Sequence, residues 1–127
     1  MKLRIRGNSL RLRVSRTELL RIAEQGSAED SIRFAPGTEW RYGIEVTPLG
    51  NVAARFAADS LCVVLPKARV ERWLDDREVA IEGEQPIGNG ETLRILVEKD
   101  YTCLAPRSGE DDSDLFVNPQ QAKAASD

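Results

Sequence analysis

One stretch of this chain occurs twice, and that repetition limits the fold more than any single motif does. Residues 3–24, LRIRGNSLRLRVSRTELLRIAE, align without a gap on residues 54–75, ARFAADSLCVVLPKARVERWLD, at a constant offset of 51. Arg4/Arg55, Ser9/Ser60, Leu10/Leu61 and Arg21/Arg72 are identical, and Ile5/Phe56, Asn8/Asp59, Leu12/Val63, Leu19/Val70 and Ile22/Trp73 keep their character. A chain of 127 residues has the size of one domain with one core.

Within each copy the periodicity changes from strand to helix. Leu3, Ile5, Leu10, Leu12 and Val14 occupy one phase and Lys2, Arg4, Arg6, Arg11 and Arg13 the other, which is the alternation of strands. Gly7-Asn8 suits a two-residue hairpin loop, because glycine supplies the positive φ such turns need. Ser15 with Glu18 has the spacing of a capping box, Leu19, Leu20, Ile22 and Ala23 form an apolar stripe, and Gly26 is placed to end the helix. Ile32–Phe34 and Trp40–Val46 read as further strands around Ala35-Pro36-Gly37.

The second half repeats this order. Val52–Ala57 and Leu61–Leu65 are strands, Pro66 opens a helix carrying Val70, Trp73 and Leu74, and Val79–Ile81 and Leu93–Val97 close the unit. Ile44/Ile95 and Val46/Val97 fall on the same offset of 51, with a shorter intervening loop and a longer Gly88-Asn89-Gly90 turn. The expected fold is α+β: two ββαββ repeats, 1–50 and 51–100, related by a pseudo-twofold axis, mostly antiparallel sheet with two helices. An open sheet and a closed barrel both satisfy the pattern. An arm, 101–117, completes a single domain through the apolar anchors Tyr101, Cys103, Leu104, Leu115 and Phe116, and 118–127 is a loose tail.

Composition excludes several chemistries. The chain has no histidine and two cysteines without CxxC spacing, so neither a Ser-His-Asp or Cys-His set nor a Cys/His zinc site can be assembled. No catalytic residue, metal site or cofactor is identified. Glu110, Asp111, Asp112 and Asp114 lack the spacing of a calcium loop and read as a solvated acidic loop. No apolar run is long enough to span a membrane, so a cytoplasmic protein without membrane contact is expected.

Charge is unevenly distributed. Residues 1–22 carry seven cations against Glu18, whereas residues 98–127 carry three against seven anions. The hairpin places Arg4 opposite Arg11 and Lys2 opposite Arg13, and like charges across a sheet are unfavourable. Something anionic should therefore lie nearby, with Glu39 and Glu45, which share a phase on the fourth strand, able to supply part of it and Arg33 and Arg41 adding to the excess. Lys2, Arg4, Arg6, Arg11, Arg13 and Arg41 are the candidate anion-binding residues. A solvated face, a site for an anion, nucleic acid or acidic partner, and coverage by the protein's own acidic arm are the three readings. The equivalent face of the second half, Ala53, Arg55, Ala57, Cys62, Val64, Ala80 and Leu96, is too apolar for solvent. The arm, a barrel wall or a second copy in a homodimer could cover it.

The segments MKLRIRGNSLRLRVSRTE and LRILVEKDYTCLAPRSGEDDSDLFVNP resemble a family of short uncharacterised bacterial proteins with these signatures at the same ends. That resemblance implies a domain of unknown function and singles out Lys99, Asp100, Cys103 and Arg107 as C-terminal candidates. A weaker similarity is to tunnel-shaped triphosphate hydrolases, whose first strand reads E-x-E-x-K. Here that strand offers Lys2, Arg4 and Arg6, with no carboxylate where the metal would be held. The expected function is a non-catalytic binding or assembly module, with a phosphate- or polyanion-directed enzyme or sensor as the alternative.

Overall fold

A computed structural model describes residues 1–101 together with Asp114 and Phe116. In chain order the elements are β1 (Lys2–Arg6), β2 (Ser9–Val14), α1 (Arg16–Gln25), β3 (Ser27–Ala35), β4 (Thr38–Thr47), β5 (Ala53–Ala57), β6 (Ser60–Pro66), α2 (Lys67–Leu74), β7 (Ala80–Gly88) and β8 (Glu91–Lys99). The expected ββαββ order is present in both halves. The halves do not, however, build separate sheets.

The first sheet runs β1-β2-β8-β7 and the second β3-β4-β6-β5. Each combines the first hairpin of one half with the second hairpin of the other. The two hairpins join through a central parallel pair, β2 with β8 and β4 with β6, flanked by antiparallel pairs. These are two four-stranded mixed sheets, and they do not close into a barrel.

Register shows the pseudo-symmetry residue by residue. Leu12 pairs with Val97 as Val63 pairs with Ile44. The Asn8 carbonyl accepts from the Arg94 amide as the Asp59 carbonyl accepts from the Arg41 amide. The second hairpins therefore correspond at an offset of 53, Ile44 with Val97 rather than with Ile95. Their loops, Pro36-Gly37 and Asn89-Gly90, are equal in length, contrary to expectation. The two extra residues lie between α2 and β7, where Asp76 turns the chain with φ 64°, whereas Gly26 alone links α1 to β3.

β3 and β7 are also far longer than Ile32–Phe34 and Val79–Ile81. Both are edge strands, so acidic residues such as Glu29, Asp30, Glu82 and Glu84 are tolerated, and Pro86, which lacks an N–H, fits at an edge.

The core lies between the sheets and is capped by the helices. Leu12, Val14, Ile81, Ile95 and Val97 face Ala28, Ile44, Val63 and Leu65, and Leu19, Ile22, Val70 and Trp73 close one end. Trp73 is fully buried, and its Nε1–H donates to the Val79 carbonyl at 3.2 Å. α1 has the expected capping box and a left-handed Gly26 whose N–H returns to Ile22. α2 begins after Pro66 with no side-chain cap.

Two seams join the sheets at their edges. Between β7 and β5, the Gln85 carboxamide accepts from the Ala54 amide at 2.7 Å and donates to its carbonyl at 3.3 Å. There a Cβ on Gly83 would lie 2.6 Å from Cβ of Val52. At the symmetry-related seam Asp30 takes the place of Gly83 and Met1 that of Val52, and the Met1 ammonium meets Asp30 at 3.4 Å and Glu18 at 2.7 Å.

The arm returns to the helix end of the molecule. The Asp100 amide donates to Val14, the Phe116 amide donates to Asp100, and Tyr101 bridges to Phe116, which packs on the core. Cys103, Leu104, Arg107, Leu115 and the run 110–112 lie outside the described residues. The apolar face expected beneath the arm is not one surface. Ala53, Arg55, Ala57, Cys62 and Val64 lie on the outside of the second sheet, Ala80 and Leu96 on the outside of the first, because the hairpins are exchanged.

Candidate functional site

Strand alternation and register together define the outer face of the first sheet. Three rows cross it: Lys2, Arg13, Glu98, Ala80; Arg4, Arg11, Leu96, Glu82; and Arg6, Ser9, Arg94, Glu84. The hairpin thus brings Lys2, Arg4, Arg6, Arg11 and Arg13 together as expected. Arg41 is not among them. It lies on β4 in the other sheet, ion-paired to Asp59 at 3.2 Å, and Arg33 is on β3.

The like charges facing each other across β1 and β2 are relieved by β8. Glu98 Oε1 accepts from Arg13 Nε–H at 2.6 Å, and Arg11 Nε lies 2.7 Å from the same oxygen, an electrostatic contact without hydrogen-bonding angles. Asp100, itself buried, pairs with Lys2 at 2.9 Å. Glu98 and Asp100 are therefore the counter-ions, not Glu39 and Glu45, which are on β4 in the second sheet. Arg4 and Arg6 are exposed and have no ion pair among the described residues.

Toward the opposite edge the face changes sign. Glu82 and Glu84 are exposed on β7, also without ion pairs among the described residues. With Ser9, Arg11, Arg94 and Leu96 they line an open concavity of about 840 Å³. Adjacent strands are about 4.8 Å apart, so three spacings separate β1 from β7 by roughly 14 Å, too far for their side chains to meet.

The C-terminal candidates do different work. Lys99 is 4% exposed, pairs with Asp76, and places its ammonium 5.4 Å from the Phe116 ring centroid. Lys99 and Asp100 thereby tie the arm to the body. Cys62, in the second sheet, has Glu45 and Arg55 as neighbours, and its thiol is pushed up chiefly by burial. Among the described residues no three His, Cys, Asp or Glu side chains are placed to share a metal ion. No helix there is long and apolar enough to cross a membrane.

Sequence reasoning missed Glu98 as the counter-ion and Glu82 and Glu84 as members of the same face. The alternation Ile81, Glu82, Gly83, Glu84 was the available signal, obscured by glycine where an apolar residue was expected.

The fold and this face belong to a chain whose sequence pattern is shared. It belongs to DUF7009, a family of unknown function, which matches residues 1–120. The DUF7009 match spans both repeats and runs past Phe116. Comparison with curated proteins and with solved structures returned no match.

Proposed function

We propose that this DUF7009 protein is a non-catalytic binding module that engages an acidic partner through the outer face of β1 and β2. The observation that carries the reading is the contrast within one hairpin: Glu98 and Asp100 compensate Lys2, Arg11 and Arg13, while Arg4 and Arg6 stand exposed beside them without a counter-ion among the described residues. Placing further cations there raises the local repulsion, and an external carboxylate or phosphate relieves it. A bacterial cytoplasmic setting goes with this reading.

The alternative, a phosphate- or polyanion-directed enzyme or sensor, draws on the same arginines. The Glu82 and Glu84 edge disfavours it, because apart from Arg94 the cations stay on two strands and a long polyanion would meet carboxylates beside them. The test is thermal denaturation with polyglutamate and with tripolyphosphate, comparing the parent with the Arg4→Ala/Arg6→Ala variant. A ligand bound only by the native state raises Tm by mass action. The parent should rise with polyglutamate and the variant should not; equal responses, or none in a monomeric parent, would overturn the proposal.

A further inference from the structure

The same face has a property that a simple basic patch lacks: its charges are arranged to fit a copy of itself. This step rests on the outer face of the first sheet being the binding surface, and it names the partner. The sheet has four strands, so an axis parallel to the strands between β2 and β8 exchanges β1 with β7 and β2 with β8. Two sheets stacked face to face about that axis keep their rows in register. Arg4 then faces Glu82 of the partner subunit, Arg6 faces Glu84 of the partner subunit, and Arg13 faces Glu98 of the partner subunit. Each contact occurs twice by symmetry.

We infer that the acidic partner of the basic hairpin is the β7 edge of a second copy of this chain, in a two-fold dimer through the first sheet. Leu96, the apolar member of the middle row, then lies over Arg11 of the partner subunit near the axis, where the alkyl stem of the arginine can cover it. Twisted sheets stack in this aligned manner about 10 Å apart, a separation that arginine and glutamate side chains span together. No other row arrangement gives both exposed β1 arginines a carboxylate and both exposed β7 glutamates a cation. The second sheet supplies no such pattern: Arg41 and Arg55 are already paired to Asp59 and Glu45, and Arg33 on β3 lies directly across from Glu39 on β4.

Sedimentation equilibrium of the full chain tests this. The parent should be a dimer whose association weakens as salt rises, because exposed pairs are screened over about 10 Å at 0.1 M. Arg4→Glu/Arg6→Glu and Glu82→Arg/Glu84→Arg should each dissociate at least about tenfold more readily. Mixing the two variants should restore the dimer, since both seams of the mixed pair are then complementary, and so should the four substitutions in one chain. These residues are exposed, and unchanged circular dichroism of the variants would confirm that folding is intact. A monomeric parent that still shows the Arg4- and Arg6-dependent polyglutamate shift overturns the dimer and leaves the basic-face reading standing. A dimer indifferent to both variants, or one that mixing does not restore, places the contact elsewhere and also overturns it.

Discussion

The outer faces of the two sheets are the same surface written twice with different side chains. Where the first sheet carries Lys2, Arg4, Arg6, Arg11 and Arg13, the second carries Ala53, Arg55, Ala57, Cys62 and Val64. The carboxylate at the equivalent place of β8 and β4 is retained: Glu98 in one, Glu45 in the other. Glu98 is gripped by two arginines from β2 and is largely covered, whereas Glu45 is half exposed and meets one arginine among the described residues, Arg55 at 3.0 Å. The difference teaches that the scaffold needs neither the basic hairpin nor its opposite. A pair of parallel central strands with a buried inner face suffices, and each outer face is free to vary.

The largest expected effect probes what the halves share. Trp73→Ala should destabilise by about 3–5 kcal/mol, and Ile22→Ala, its counterpart in α1, by about 2–5 kcal/mol, both read by urea denaturation. A negligible loss at either would break the equivalence of the helices. Next come the seams. Gly83→Ala forces a methyl against Val52 and should cost about 1–3 kcal/mol, while Asp30→Ala at the related seam should stay within about 0.5–1 kcal/mol. Adding Val52→Gly to Gly83→Ala should cost less than the sum of the single changes, because glycine removes the Cβ that the new methyl meets. Additive losses would mean that the close approach is not what excludes a side chain.

Smaller effects sharpen the contrast between faces. Glu98→Gln leaves Arg11 and Arg13 without their shared anion and should cost about 1–2 kcal/mol, whereas Glu45→Gln should cost under about 1 kcal/mol in the same assay. Equal losses would remove the asymmetry. Finally, Asp114 serves the start of α1: its carboxylate accepts from the Thr17 hydroxyl at 2.7 Å and amide at 3.1 Å. The Thr17 side-chain hydrogen bond leads the causes that hold this carboxyl below its usual range. The charged form is therefore favoured in the folded state. Its contribution, about 0.3–1 kcal/mol, is present above the ordinary aspartate value of about 3.9 and disappears as pH falls through the lower folded value. The stability gap between the parent and Asp114→Ala should be constant from neutral pH down to about 5 and close below that range. A gap that persisted in strong acid would show that the carboxylate charge is not what matters.

Local features were legible in the residues themselves. The β1–β2 register followed from strict alternation around Gly7-Asn8, and α1 from Ser15, Glu18 and Gly26, because these signals depend on neighbours in sequence. The exchange of hairpins was not legible. A repeat has the same pattern whether it closes its own sheet or lends a hairpin to its twin, and the parallel pairs β2–β8 and β4–β6 leave no local mark. The offset of 53 was hidden because Ile95 and Val97 are both inward-facing and chemically alike, so either could match Ile44. The acidic edge strands were cut short because burial on one side of an edge leaves too few apolar residues to show a period. At the candidate face the arginines were evident from phase alone. Their counter-ions came from strands nearly ninety residues away in the chain, as with Arg13 and Glu98, whose separation is 85.

Exchanged hairpins also set an order of events during synthesis. All strands of the second sheet have been made once Pro66 is complete, whereas the first sheet waits for Glu91–Lys99. The hairpin that leaves the ribosome first is therefore the last to find its neighbour, and until then Leu12 and Val14 lack the strand that covers them. Pairings so distant in sequence form slowly, and an apolar strand edge left waiting is open to the wrong chain. The five cations on β1 and β2 are charges of the kind that discourage like edges from pairing.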